Sequence, residues 1–134
     1  IPFNKSLAGH SDADVALHAL TDSILGALGL GDIGLHFPDS DKKWKDASSE
    51  IFLNWSIEQV KQRNFKLSNI DLTIICEKPK INIFREQLVI NLSNICSLEI
   101  DKINVKATTT ELLGFTGREE GIASICSVLL YETS

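Results

Sequence analysis

The stretch that decides the fold is IDLTIICEKPKINIFREQLVINLSNICSLEIDKINVKAT, Ile70 to Thr108. Its first part, Ile70 to Glu77, is rich in β-branched residues and reads as a strand, which Pro79 closes. From about Ile83 to Ser97, Phe84, Leu88, Leu92 and Ile95 recur at helical spacing and are expected to face inward. Ile103 to Thr108 then returns to strand chemistry. Upstream, Ser11 and Asp12 offer N-cap oxygens to a helix carrying Val15, Ala19, Leu20, Ile24, Ala27 and Leu28. Gly29 and Gly31 end that helix. A second helix is expected from Ser48 or Ser49 to about Arg63, with Ile51, Phe52, Trp55 and Val60 on its apolar face. Downstream, Thr109 to Gly121 reads as a loop and Ile122 to about Tyr131 as a final strand. The order helix, helix, strand, helix, strand, strand predicts an α+β fold, a sheet with helices layered on one face. A further N-terminal hairpin, missing from this chain, would complete such a sheet.

The 134 residues suit a single domain built on one core. A formal net charge of -5 argues against broad nucleic-acid binding, which needs a basic surface to displace counterions. A small anionic ligand remains compatible with it, because a local site can be positive on an acidic protein. No apolar run is long enough to span a bilayer, and no signal peptide is visible. Cys76, Cys96 and Cys126 sit in apolar segments without metal-like spacing. They read as reduced core thiols, so a cytoplasmic location is expected. The chain begins at Ile1 and has no methionine, so an incomplete N-terminus is expected.

Four constellations can carry chemistry. In GHSDADVALHAL, Gly9 to Leu20, His10 and Ser11 are placed at a helix N-terminus, where free N–H groups favour an anion. The plainer reading is that Ser11 and Asp12 only cap the helix. Asp14 and His18 stand four apart on one helical face. They can share a metal, or Asp14 can orient the ring, or His18 can be a packed core histidine. In GDIGLHFPDSD, Gly31 to Asp41, the carboxylates of Asp32, Asp39 and Asp41 can accept from sugar hydroxyls or hold a cation. A solvated turn is the alternative, and His36 has no assigned role. In CEKPKI, Cys76 to Ile81, Lys78 and Lys80 can meet phosphate or simply be solvated. In KATTTELLGFTGREEG, Lys106 to Gly121, three threonines leave a strand and Glu111 follows, a natural ligand for a hard cation. Gly114 and Gly117 permit tight turns around Phe115 and Arg118. The alternative is a Thr-rich strand ending in a glycine turn.

Taken in order, GHSDADVALHALTD, GDIGLHFPDSD, CEKPK and VKATTTELLGFTGREEGIA resemble the signatures of the 2-C-methyl-D-erythritol 2,4-cyclodiphosphate synthases, and they cover nearly the whole chain. The resemblance implies a ferredoxin-like α+β subunit in a homotrimer, with sheets facing the three-fold axis and active sites between subunits. It implies cyclisation of 4-diphosphocytidyl-2-C-methyl-D-erythritol 2-phosphate with release of cytidine monophosphate, in the non-mevalonate route to isoprenoids. By the same resemblance, His10 and Thr109 stabilise the transition state, and Ser11 lies with His10 against phosphate. Asp32, Ile33, Gly34, Phe37, Pro38, Asp39, Ser40 and Asp41 form the loop that receives the methylerythritol part. Cys76, Pro79, Lys80, Ile81 and Asn82 form the cytidine loop, with Thr108 alongside, and Thr110 is implied as a further substrate contact. His18 is implied as a ligand of a zinc-type site and Glu111 as the ligand of magnesium or manganese. The other zinc ligands, an Asp-x-His pair, are implied to lie in an absent segment of about twenty residues, two strands and a turn. Phe115 and Arg118 match a cavity on the trimer axis that takes isoprenoid diphosphates; pairing of Arg118 with Glu120 is the alternative. A non-catalytic trimer and an unrelated metal-dependent phosphohydrolase are the competing functional readings.

Overall fold

The structure is a computed structural model, and it describes residues 7–44, 47–75, 81–108 and 123–133, with backbone alone for 7–12 and 81–83. The elements run α1 (Leu7–Ala27), α2 (Ile33–His36), α3 (Ser49–Gln62), β1 (Phe65–Ile75), α4 (Ile81–Cys96), a 3-10 turn (Ile100–Lys102), β2 (Ile103–Thr108) and β3 (Ala123–Glu132).

Helix α1 starts at Leu7, so Ser11 and Asp12 are inside it rather than capping it. Leu7 and Ala8 are strong helix formers, and they carry the helix one turn further back than the cap residues indicate. Its buried stripe is Ala13, Ala16, Leu17, Leu20 and Ile24, spaced three and four apart. Thr21 is also buried, and its hydroxyl donates to the Leu17 carbonyl at 2.8 Å. At the C-terminus Gly29 N–H donates to Gly26 and Leu30 N–H to Leu25, while Gly29 holds φ at 71°. This is the left-handed cap that only glycine adopts without strain.

Helix α3 begins where expected, with the Ser48 hydroxyl accepting from Glu50 N–H at 3.2 Å. Its buried side is Phe52, Leu53, Ser56, Ile57 and Val60. Ile51, expected inward, is instead 47% exposed. It lies two residues, about 200° of helix, from Leu53 and so on the far side from the stripe that Leu53 and Ile57 occupy. Strand β1 starts five residues before the expected Ile70, because β3 pairs with it back to Phe65. Helix α4 closes at Ser97, which holds φ at 52°.

The described strands form a mixed sheet in the order β2-β1-β3, β1 parallel to β2 and antiparallel to β3. A bulge interrupts the second pairing between Leu67 and Asn69. Ile70, Leu72 and Ile74 of β1 and Ile103 and Val105 of β2 face one way. They join Leu20 and Ile24 of α1, Leu53 and Val60 of α3, and Leu88 and Leu92 of α4 in one cluster. All three long helices thus cover the same sheet face, as the element order predicts. The opposite face, with Asn69, Asp71, Thr73, Asn104, Lys106, Ile125, Ser127, Leu129 and Tyr131, carries no helix among the described residues. Among those residues no helix is long and apolar enough to cross a membrane.

Candidate functional site

Strand β1 is the central strand, and its last residue, Ile75, pairs with Thr108 on one side and Ala123 on the other. Residues 76–80 leave β1 at that edge, and residues 109–122 join the end of β2 to the start of β3 there. The topology therefore puts the connections holding Cys76, Pro79 and Lys80, and Thr109, Thr110, Glu111, Phe115 and Arg118, at one edge of the sheet. This is the carboxyl edge of two parallel strands, where open α/β sheets bind ligands. The placement of these residues themselves lies outside the described residues, as do Lys78 and Glu120. Ile81 and Asn82 open α4 immediately after residue 80, and Thr108 is exposed at the end of β2.

The other two constellations meet through aromatic side chains. The imidazole of His18 is exposed and lies edge-on to Phe52, with ring centroids 6.0 Å apart. Phe52 in turn lies 4.7 Å from Phe37. Phe37 is buried and also meets Trp44 at 4.8 Å and Trp55 at 5.1 Å. This cluster binds the 31–44 segment to α3 and sets it beside the His18 turn of α1. Sequence reasoning found Phe52 and Trp55 as core but missed Trp44, whose aromatic character on a polar loop was the available signal.

Within that segment the carboxylates are partly committed to the backbone. Asp32 caps α2, a helix where a loop was expected, its Oδ1 accepting from Leu35 N–H at 3.0 Å. Ile33 N–H donates to Asp22 Oδ1 at 2.9 Å. Asp41 Oδ1 accepts from Lys43 N–H at 3.0 Å. The turn reading therefore accounts for one oxygen each of Asp32 and Asp41. Gly34, Pro38, Asp39 and Ser40 are exposed. His36, without a role from sequence, places Nε2 2.5 Å from the Leu30 carbonyl and its ring 4.8 Å from that of Trp55.

Two expectations for α1 change. His10 and Ser11 do not stand at the helix start, because α1 begins at Leu7. Ser11 is thus beyond the first four N–H groups that a helix leaves free. Asp14 accepts a short hydrogen bond from the Ser49 hydroxyl on α3. The carboxylate ties two helices together, a role its spacing from His18 did not reveal. Among the described residues no three His, Cys, Asp or Glu side chains are grouped to hold a metal. His18, the zinc-type ligand that the resemblance implies, therefore stands without two such neighbours there, and Glu111 lies outside the described residues.

A groove of about 620 Å³ lies at the opposite end of β1, between Val60, Phe65, Leu67, Leu98 and Tyr131. It holds none of the site residues read from sequence.

The fold defines an α+β domain, a mixed sheet with its three long helices on one face. Over residues 1–131 the chain matches the model of the YgbB family. It belongs to that family. It is 57% identical over 127 residues to the bifunctional enzyme IspD/IspF of Bartonella bacilliformis, an alignment covering 95% of this chain and 32% of the relative. The chain thus spans about a third of the length of that bifunctional relative. It is 56% identical over 130 residues to the 2-C-methyl-D-erythritol 2,4-cyclodiphosphate synthase of a Geobacillus strain, covering 97% of this chain and 82% of the relative. Among solved structures, IspF of Plasmodium falciparum in complex with CDP superposes with a TM-score of 0.81 at 35% identity, covering 93% of this chain and 75% of that one.

Proposed function

We propose that this domain converts 4-diphosphocytidyl-2-C-methyl-D-erythritol 2-phosphate to 2-C-methyl-D-erythritol 2,4-cyclodiphosphate and cytidine monophosphate. The observation that carries this is the near-complete identity span, 56% over 97% of the chain, with a relative bearing that synthase's name. A related structure holds CDP, which supports a cytidine diphosphate ligand.

The reaction needs little from a general base, because the nucleophile is an anionic phosphate of the substrate itself. Its oxygen bonds to the β-phosphorus, the bond from that phosphorus to the bridging oxygen breaks, and the electron pair leaves with cytidine monophosphate. The protein's task is to fold the substrate on itself and to stabilise charge on the five-coordinate phosphorus. In this reading the loop from Asp32 to Asp41 receives the methylerythritol hydroxyls. Residues Cys76 to Asn82 receive the cytidine, with Thr108 beside them, and Thr110 is a further substrate contact. His10, Ser11 and Thr109 donate to the phosphates. Divalent cations, zinc at His18 with ligands beyond the described residues and magnesium or manganese at Glu111, would neutralise phosphate charge when bound.

The active assembly in this reading is a cytoplasmic homotrimer of ferredoxin-like subunits with sites between neighbours. The open sheet face, with Ile125 and Leu129 each 60% exposed, supports association through the sheets. Phe115 and Arg118 would then lie near the axis, placed to receive an isoprenoid diphosphate.

The test is incubation of the full-length protein with the cytidyl substrate, zinc and magnesium, following cytidine monophosphate and the cyclic product. Release of both supports the reading. No release from folded, metal-loaded protein overturns it.

A further inference from the structure

Asp14, His18 and Asp22 stand four apart along α1, and all three are exposed on one face of that helix. The two carboxylates that flank His18 each tie α1 to a neighbouring element. Asp14 accepts from the Ser49 hydroxyl at the start of α3, and Asp22 Oδ1 accepts from Ile33 N–H at 2.9 Å. Among the described residues, the second of these is the one hydrogen bond from α1 to the 31–41 segment. The far end of that segment is held to α3 instead, by Phe37 against Phe52 and Trp55. Asp32 sits at the near end. Its Oδ1 accepts from Leu35 N–H at 3.0 Å, which leaves Oδ2 without a partner among the described residues.

We propose that Asp22 is a positioning residue that fixes where Asp32 Oδ2 points, and so where this loop receives a substrate hydroxyl. The inference rests on the synthase reading above, in which Asp32 takes a hydroxyl of the methylerythritol part. Ile33 N–H belongs to the same planar peptide unit as the Asp32 carbonyl. Holding that N–H therefore fixes the plane that leaves the Asp32 Cα. The Leu35 N–H fixes the carboxylate itself. With backbone and side chain both held, Oδ2 keeps one direction. The turn before it does not set that direction alone. Gly29 and Gly31, with φ at 71° and 86°, lie in that turn, and glycine confers broad backbone freedom. What Asp22 supplies is an acceptor at one place rather than a charge. The bond is exposed to solvent, so its net contribution to folding is small and its removal leaves the fold standing. Misplacing a reacting group by about an ångström, by contrast, is costly to turnover.

The experiment measures turnover of the full-length protein with the cytidyl substrate, zinc and magnesium. Asp22→Ala is expected to lower kcat/KM about tenfold or more, while affinity for CDP, read by titration calorimetry, stays that of the wild type. Asp22→Asn keeps an oxygen acceptor at the same position without the charge, and it is expected to recover most of the loss. Because Asp22 acts through Asp32, the double variant Asp22→Ala/Asp32→Ala is expected to fall little below Asp32→Ala alone. The Ile33 amide is expected to exchange with deuterium faster in Asp22→Ala and near the wild-type rate in Asp22→Asn. Far-UV circular dichroism checks that each variant is folded. If Asp22→Ala unfolds the chain, Asp22→Glu, which keeps the charge but moves the acceptor by a methylene, is measured in its place, with the same losses expected. Unchanged kcat/KM in the folded variant overturns the inference, as does an Asp22→Asn protein as poor as Asp22→Ala. So do losses that add in the double variant, or a CDP affinity that falls in step with kcat/KM. A wild-type protein without turnover overturns the synthase reading itself, a distinct outcome.

Discussion

The Asp14 carboxylate shows how one hydrogen bond changes the reading of a residue. Four positions from His18, it looks like a metal ligand or an imidazole partner, but it accepts from the buried Ser49 hydroxyl and joins α1 to α3. Ser49→Ala removes that donor and should lower stability by about 1 kcal/mol, read as a lower urea midpoint with unchanged slope. Asp14→Ala should cost a similar amount, and the double variant little more than either, because the partners share one interaction. Thr109 tests chemistry instead of packing. Thr109→Ala should lower turnover by roughly a hundredfold with cytidine affinity retained; equal turnover would remove it from the transition state. The two described thiols carry a pH prediction. Burial pushes Cys96 up from 9.0 to about 12 and Cys126 to about 11. A raised thiol value means the folded state holds the proton more tightly than the unfolded chain does. The resulting stability is complete below 9.0 and declines as pH rises from there towards about 11. Urea midpoints across that range should fall more steeply in the wild type than in Cys96→Ala/Cys126→Ala.

At the scale of elements, periodicity and turn chemistry made most of the fold legible. Strand β2 runs over Ile103–Thr108 as its alternation predicts, and α3 starts at its serine cap. What escaped depends on partners distant in sequence. Residues Phe65 to Asn69 become strand because β3 lies alongside, and no local pattern announces that pairing. The short α2 is of the same kind, since competing local preferences were settled by context, whereas the early start of α1 follows the helix-forming Leu7 and Ala8. The site was legible as motifs but not as an arrangement. That Phe37 anchors the Asp-rich loop against Phe52, beside His18, needed coordinates. The caps around that loop carry a prediction. A Cβ at Gly29 meets nothing, so Gly29→Ala should cost only the left-handed backbone, about 1 kcal/mol. Gly31→Ala adds a 2.7 Å approach to Leu35 Cδ2, yet Leu35 is 69% exposed and free to swing away. The two variants should therefore melt within a few degrees of each other, by roughly the scaling of melting temperature with free energy.

For the whole molecule the deciding feature is the asymmetry of the sheet. One face is sealed by three helices, and the other leaves large apolar side chains in water. A solvated sheet face ordinarily carries polar residues in alternation, so Ile125, Leu129 and Tyr131 on β3 break the pattern that a lone subunit would need. The trimer proposed above also has its sites between neighbouring subunits. The two consequences are separable by mutation. Leu129→Asp places a charge on the open face without touching Leu72, Ile74 or Leu20 in the core. It should shift the protein towards monomer in light scattering while far-UV circular dichroism stays that of the wild type. Because a shared site is incomplete in a monomer, turnover per chain of this variant should climb as protein concentration rises. Wild-type turnover per chain should stay flat over the same range. A monomeric Leu129→Asp protein with full, concentration-independent turnover would place each site within one subunit and refute its sharing.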